Sequence, residues 1–375
     1  VLLAARNAHK ALLYAAALLD FDIRWLWPAA ENAGALCSCP ISAQMLTTAL
    51  QELIGQGSAP FGVYVTSPDY LGGMQDIRAL SAVCDTFGMP LLVDNAHGAY
   101  LRFLPGEPLH PIALGAAMCC DSAHKTLPVV TGGAYLHLGS KAPVQEEAAV
   151  RGALALFGST SPSYLILQSL DACNRQLTES YPAGLQRCCA RLAALRGELN
   201  TAAQAAGCPV LLALDGPGRE PLKLTLDAAA LGMTGTALAD TLRGGQLECE
   251  YADPRYVVLM FTPCNPPEDY ARLRTVLRQC LHGLPAAGGL LQPEELAGEF
   301  VALAQQARAH CTIRQAVFAP QERIPVQQAL GRICAMPTVS CPPAIPIAVS
   351  GEEITPAALE LMQRYGVTEV SVLRR

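Results

Sequence analysis

Charge is scarce in this sequence. Charged side chains make up 15% of its 375 residues, against about a quarter in an average soluble domain. Hydrophobic residues make up 51%. That balance implies a compact globular protein with much buried surface, with room for a subunit interface. The formal net charge of −6 offers no basic track for a phosphate backbone, so no nucleic-acid partner is expected. Long apolar runs are missing too. Each is broken by charge, Gly or Pro before it could cross a bilayer, so no membrane partner is expected. Cysteine is abundant, at 15 residues, but paired CxxC motifs at zinc spacing are lacking. No metal site is therefore assigned. The thiols read as reduced and cytosolic, mostly packed as small hydrophobes.

Length suggests two or three domains. Residues 1–5 read as a buried strand with no initiator Met and no lead-in, so the expectation is a chain that starts inside a larger fold. Further strand-like runs cover 23–27, 61–66, 90–94, 118–122 and 133–138. Helical patterns cover 9–19, 42–54 (with Ser42 as N-cap) and 76–87. Such alternation implies a mainly parallel sheet covered by helices. Ligands of these sheets gather where strands end.

Residues 163–206 read as one long helix, or two broken near Tyr181-Pro182. Strands over 209–214, 222–226, 247–251 and 256–261, with helices over 234–243 and 267–281, suit a smaller α+β domain. Residues 284–289 read as a linker. A helix over 293–309 follows. The proline-rich tail then ends in a helix over 356–365 and a short strand. The expected domains are 1–205, 206–284 and 285–375.

Two strand ends carry the chemistry. Asp121-Ser122-Ala123-His124-Lys125 sets a lysine among small and polar neighbours, which suits an amine held in a pocket. Asp94 closes the run before Asn95-Ala96-His97-Gly98. A lone lysine is more often a solvated charge, and a strand-end aspartate often caps the next helix. Together and in order they suggest a pyridoxal-phosphate site: Lys125 as the Schiff-base amine, Asp94 holding the pyridine nitrogen protonated. His9, in Arg6-Asn7-Ala8-His9-Lys10, is alone best read as part of a polar helix start. Beside a cofactor it suits a ring-stacking imidazole. Ala96 and His97 would face the cofactor, with Gly98 permitting close backbone approach. The hydroxyl-rich turn Ser159-Thr160-Ser161-Pro162-Ser163-Tyr164 suits N-capping or phosphate binding. Thr66-Ser67-Pro68-Asp69-Tyr70 is a similar polar turn that could line the same pocket.

In this order, these motifs resemble the Orn/Lys/Arg decarboxylase family of bacterial fold-type-I pyridoxal-phosphate enzymes. The matching stretches are residues 6–10, 66–68, 92–99, 121–125, 159–164 and Pro342-Pro343-Ala344-Ile345-Pro346, which span nearly the whole chain. The resemblance implies an α/β, aspartate-aminotransferase-like large domain with a mainly parallel sheet, a small α+β domain and a C-terminal domain. It implies that Lys125 carries the cofactor, Asp94 pairs with the pyridinium, and His9 and Ala96 pack on opposite ring faces beside His97. Ser122 and His124 would reach the phosphate, and Ser159 and Ser161 would reach it from a neighbouring subunit. The partner is then a second copy, in a homodimer or higher homo-oligomer.

The implied reaction is decarboxylation of arginine, lysine or ornithine to an amine of the polyamine type and CO2. For the substrate's distal cation, Glu352 is the candidate carboxylate, with Asp69 less favoured. Alternatives are another reaction on the same scaffold, such as transamination, or a non-catalytic paralogue. The sequence departs from the family in three places. Asn95 and Tyr100 stand where the "DEAHGAH" pattern has Glu and His. Thr131-Gly132-Gly133 replaces a "TQ" turn. The family's Gly- and Ser-rich phosphate loop, expected upstream of the first strand, is not in this sequence, which fits N-terminal truncation.

Overall fold

The computed structural model describes residues 1–30, 35–159, 161–208, 210–282, 293–337 and 346–374. The expected linker at 284–289, the domain boundary beside it, Thr160 and residues 342–345 of the proline motif lie outside the described residues.

Six short strands build the main sheet: β1 (Leu2–Ala5), β2 (Ile23–Leu26), β3 (Val63–Thr66), β4 (Leu91–Asp94), β5 (Met118–Asp121) and β6 (Tyr135–Leu138). Their spatial order is β2-β1-β3-β4-β5-β6. The first five run parallel, and β6 runs antiparallel to β5. All four residues of β1 are buried, as expected of an interior parallel strand with both faces covered.

The connecting helices begin where the sequence supplies caps. The first, α1 (Lys10–Leu19), starts at His9, whose ring accepts from Ala11 N. Next comes α2 (Ala43–Gly55), whose Ser42 cap accepts from Met45 N. In α3 (Ile77–Phe87), Asp76 accepts from Ala79 N, and the helix stops at Gly88 in the left-handed region. Each cap satisfies one otherwise orphaned amide.

Side chains alternate across the sheet. Leu3, Ala5, Val63, Val65, Leu91, Val93 and Cys119 pack with Leu46, Leu50 and Leu53 of α2 and Ile77, Leu80 and Cys84 of α3. The opposite face of β3, β4 and β5 carries Tyr64, Asp94 and Cys120. Register pairs Thr66 with Asp94 and Asp94 with Cys120. The strands therefore end level, and the loops after them emerge along one edge.

Beyond β5 a single helical turn, α4 (Ala123–Thr126), and a helix α5 (Glu147–Phe157) form where the sequence pattern gave no helix. Two helices follow, α6 (Tyr164–Thr178) and α7 (Tyr181–Ala205). The break falls at residues 179–180, with Pro182 in the first turn of α7, where its missing N–H costs nothing. The small sheet has the order β7 (Lys223–Asp227), β9 (Tyr256–Met260), β8 (Tyr251–Ala252), all antiparallel. It is flanked by α8 (Gly235–Gly244) and α9 (Pro267–His282). Leu185, Leu192, Leu195 and Leu199 of α7 share a core with Leu224, Leu226, Leu238, Leu242, Val257, Leu273 and Leu277.

Two expected strands fail here. Of the segment expected at 209–214, the described residues make only an isolated bridge, Ala213 to Leu226. The one expected at 247–251 shrinks to the two residues of β8, because the chain is still turning out of α8 at Gln246, whose φ is 59°. The helix α10 (Pro293–Gln306) stops short of residue 309. The proline-rich tail is more ordered than its composition suggests. A short helix α11 (Ile313–Phe318) leads to β10 (Gln321–Pro325), and α12 (Pro356–Arg364) leads to β11 (Glu369–Leu373), which pairs antiparallel with β10. No helix among the described residues is long and apolar enough to cross a membrane. Cys39, Cys84, Cys119, Cys173 and Cys188 are buried, as small hydrophobes would be.

Candidate active site

The level strand ends bring four of the expected residues into one cluster. Asp94 ends β4 and is 7% exposed. Its Oδ2 accepts from Tyr64 Oη at 3.0 Å, and its Oδ1 accepts from the Ala96 amide at 3.1 Å. The carboxylate is thus aimed by a phenol from the neighbouring strand and by its own loop. Lys125 stands on the single turn α4, directly after β5. Its Nζ lies 3.3 Å from His97 Nε2. Burial pushes the amine below its ordinary value, against the opposing pull of Asp94, Glu250 and Cys120. A lowered amine pKa is what a nucleophilic lysine needs at neutral pH.

His97 is 1% exposed. Burial holds it well below the ordinary imidazole range, and Lys223, Lys125, His124 and His9 push the same way. A neutral His97 that accepts at Nε2 carries its proton on Nδ1. That Nδ1 is buried and has no hydrogen-bond partner among the described residues. A buried orphan of this kind costs on the order of 1–3 kcal/mol. His9 joins from the cap of α1. Burial lowers its pKa most, with Asp94 opposing and Lys125 and Lys10 adding to the shift. A neutral imidazole results, free to lie against a cationic ring without repelling it. Gly98 closes the loop tightly: a side-chain carbon there would sit 2.0 Å from Asn95 Oδ1.

Phosphate partners are less complete. Ser122 is half-buried beside Lys125. His124 donates from Nδ1 to Gly133 O at 2.9 Å, so its Nε2 carries a proton only as imidazolium. Ser159 and Ser161 are exposed and bond each other: Ser159 Oγ donates to Ser161 O at 3.0 Å and accepts from Ser161 N at 3.1 Å. Within one chain they are not drawn into the cluster by any of these bonds.

Glu352 corrects the expectation of a substrate carboxylate. It is buried, and its two oxygens accept from Arg6 at 2.8 and 2.7 Å. The Arg6 guanidinium also lies between Trp25 and Trp27, 4.8 and 4.6 Å from the ring centres. An ion pair this buried and bidentate is already satisfied, and it ties the C-terminal region to the end of β1, three residues before His9. Asp69 is likewise occupied: burial pushes its carboxyl up, and it accepts from Gly73 N at 2.8 Å within its own turn.

The small sheet supplies groups the sequence reading missed. Glu250, just before β8, is exposed, and its Oε1 accepts from Tyr70 Oη at 2.6 Å. Tyr70 packs edge-on against His97, with ring centres 4.8 Å apart. The field of Glu250 reaches the Lys125 amine. Lys223 Nζ lies 5.2 Å from the Tyr70 ring centre and donates to Asp69 O at 2.8 Å. One signal was available: Lys223 opens a fully buried strand, β7. Glu250 and Tyr64 had none, because each gains its role from a residue distant in sequence.

The departures from the family pattern have local causes. Asn95 Nδ2 donates to Asp121 Oδ1 at 2.7 Å, and a Glu at that position would set two carboxylates together. Tyr100 is fully buried and turned to the small domain, where its hydroxyl bonds Glu220 and accepts from Leu222 N at 3.3 Å. The turn at 131–133 receives the His124 ring and amide.

The sequence profile of the Orn/Lys/Arg decarboxylase major domain matches residues 1–212, and that of the family's C-terminal domain matches residues 296–367. Among relatives, an arginine decarboxylase of Bacillus subtilis (strain 168) is 28% identical over 359 residues, covering 93% of this chain and 70% of that protein. An arginine decarboxylase of Bacillus anthracis is 26% identical over 371 residues, covering 97% and 72%. Among solved structures, the constitutive lysine decarboxylase of E. coli superposes with a TM-score of 0.73 at 18% identity, covering all of this chain and 67% of that one. An alanine–glyoxylate aminotransferase of Nostoc sp. superposes at 0.55 and 18% identity, covering 75% and 74%. The fold is the fold-type-I architecture of pyridoxal-phosphate enzymes, and pyridoxal phosphate is the cofactor of this class. The residues present fit that group: an amine with lowered pKa, a buried carboxylate, a neutral imidazole at a helix cap, and the orphaned Nδ1 of His97 in the same cluster.

Proposed function

Because the chain belongs to the Orn/Lys/Arg decarboxylase family, we propose that it removes the α-carboxylate of a basic amino acid, giving the corresponding amine and CO2. The observation that carries this reading is the Lys125–His97–Asp94 cluster at the level ends of β4 and β5. Lys125 would carry the cofactor, Asp94 would pair with its ring nitrogen, and His9 and Ala96 would flank it, with His97 beside them. Ser122 and His124 would reach its phosphate. When bound, pyridoxal phosphate supplies an electron-poor ring that takes up the electron pair left as CO2 departs.

The chain's own residues do the rest. Tyr64 and the Ala96 amide aim the buried Asp94 carboxyl, which would hold a cationic ring nitrogen. The lowered pKa of Lys125 lets Nζ be neutral when it must attack and protonated when it must return a proton. His97 Nε2, 3.3 Å away, is the nearby acceptor that steadies the protonated form. Neutral His9 covers the site without opposing positive charge. Glu250, oriented by Tyr70, would meet the substrate's distal ammonium or guanidinium. An exposed carboxylate already fixed by one phenol loses little freedom on binding.

The test supplies arginine, lysine, ornithine and a set of neutral amino acids to the pyridoxal-phosphate-loaded protein and measures CO2 release and keto-acid formation. Release of CO2 from a basic amino acid, abolished by Lys125→Ala, is expected. A keto acid in its place would mean transamination, and no turnover with any substrate would mean a non-catalytic paralogue. In Glu250→Gln, KM for the basic substrate should rise about tenfold, with kcat little changed. An equal fall in kcat alone would move Glu250 out of substrate binding.

A further inference from the structure

A second group of ligand-type side chains lies on the far face of β5. His110, Asp121 and His137 converge from three separate segments: the loop before a short 3-10 turn, the end of β5 and the middle of β6. His110 Nε2 and His137 Nε2 lie 3.1 and 2.9 Å from the same atom, Asp121 Oδ2. The three ligand atoms all fall within 4.8 Å of one another. This set is not visible along the chain, because its members are spaced too widely and irregularly for any metal motif.

We propose that these three residues bind a divalent first-row transition ion, zinc before the others. Metal–nitrogen and metal–oxygen bonds to zinc are about 2.0–2.2 Å. Two ligands at right to tetrahedral angles on such an ion stand about 2.8–3.6 Å apart, by simple trigonometry on those bond lengths. Both measured nitrogen–oxygen edges fall in that range, so an ion fits between Asp121 Oδ2 and either imidazole, and the two imidazoles would close around it to complete the set. Two imidazoles and one carboxylate form a borderline donor set, which selects zinc and its neighbours over magnesium or calcium.

The surroundings are those of a built site. Asn95 Nδ2 holds the other carboxylate oxygen of Asp121 at 2.7 Å, which leaves Oδ2 for the ion, the kind of outer hydrogen bond that orients a ligand. His110 and Asp121 are buried, while the His137 side chain keeps 37% of its surface exposed. A cleft of about 530 Å³, lined by His110, His137 and Arg102 among others, opens onto the cluster. It gives an ion a way in and leaves a coordination position for water. The pair reading, in which both imidazoles simply donate to one carboxylate, explains the short distances equally well. It does not explain why both imidazoles line an open cleft. Because Asn95 directly follows Asp94, a bound ion would brace the loop of the cofactor site from the opposite face without touching the substrate.

The test uses pyridoxal-phosphate-loaded full chain, stripped with a chelator, desalted and titrated with cobalt(II), then back-titrated with zinc. Saturable binding of one equivalent per chain, with visible ligand-field absorption that zinc quenches, is expected. In His137→Gln, whose parent residue is accessible and therefore replaceable without unfolding, the affinity should fall at least tenfold while amino acid turnover is retained. Asp121→Asn should lose the absorption as well. Failure of the wild-type chain to bind at millimolar cobalt, or equal binding by His137→Gln, overturns the proposal. Equal binding would assign the ion to exposed thiols such as Cys120 and Cys264. None of these outcomes bears on the cofactor reading, which rests on different residues.

Discussion

Asp94 and Asp121 end adjacent strands of the same sheet, yet they do different work. Register pairs Asp94 with Cys120, so Asp121 lies one residue further on and faces the opposite side. On one face, Asp94 meets a phenol, a loop amide and the field of a lysine. On the other, Asp121 meets two imidazoles and an amide. Burial pushes the Asp121 carboxyl up, but the hydrogen bonds from His110 and His137 outweigh it and hold the pKa at about 2. A one-residue offset along a pleated strand thus separates the carboxylate proposed to face the cofactor from one held between two imidazoles and an amide. Position at a strand end does not define function; the partners that the fold brings to that end do.

The largest expected effect tests Asp94. Asp94→Asn would remove the carboxyl proposed to pair with the cofactor's ring nitrogen and should lower kcat/KM by about 10²–10³-fold, as for other preorganised electrostatic groups. Asp121→Asn should cost far less in turnover. Equal losses would erase the distinction between the two faces. The second test reverses the comparison. Asp121→Asn weakens two hydrogen bonds to a buried charge and should lower unfolding stability by roughly 2–3 kcal/mol, read by urea titration of the cofactor-free protein. Asp94→Asn, whose donors are a phenol, an amide and the weak Cys120 thiol rather than two imidazoles, should cost less.

The third test uses pH. In the cofactor-free protein the Lys125 pKa is lowered by burial. The group's favourable contribution is present at high pH, where the amine is neutral in both states, and is lost as pH falls through the depressed value. Lys125→Met should therefore raise the melting temperature at neutral pH. That gain should shrink as pH rises towards the ordinary lysine value. A gain that does not vary with pH would mean packing rather than charge. The smallest effect is expected from Tyr64→Phe, which deletes one hydrogen bond to Asp94, worth about 1 kcal/mol. A fall of a few-fold in cofactor affinity would place the phenol as a positioning residue for Asp94, and no change would remove it from that role.

Much of the large domain was legible because its signals are local. Ser42 and Asp76 cap their helices within four residues, and β1 to β5 are short apolar runs that end just before polar loops. Lys125, Asp94 and His9 could be singled out for the same reason. The small domain was harder. Its strand at 247–251 lost most of its length to a turn, and Glu250 acquires meaning only when Tyr70, 180 residues away, meets it. The misassignment of Glu352 has a related cause. Nothing near it in sequence reveals that Arg6, 346 residues away, occupies both its oxygens. The His110–Asp121–His137 group was invisible for the same reason: antiparallel pairing of β6 on β5 creates it.

The central claim is that Lys125 is the amine that carries the cofactor. The sequence contains only four lysines, Lys10, Lys125, Lys141 and Lys223, so the claim can be tested by direct labelling. The protein would be loaded with pyridoxal phosphate, reduced with borohydride, digested and mapped by mass spectrometry. The account predicts a single phosphopyridoxyl adduct, on Lys125. An adduct on Lys223, the buried competitor beside Tyr70, or no stable adduct at all, would contradict it.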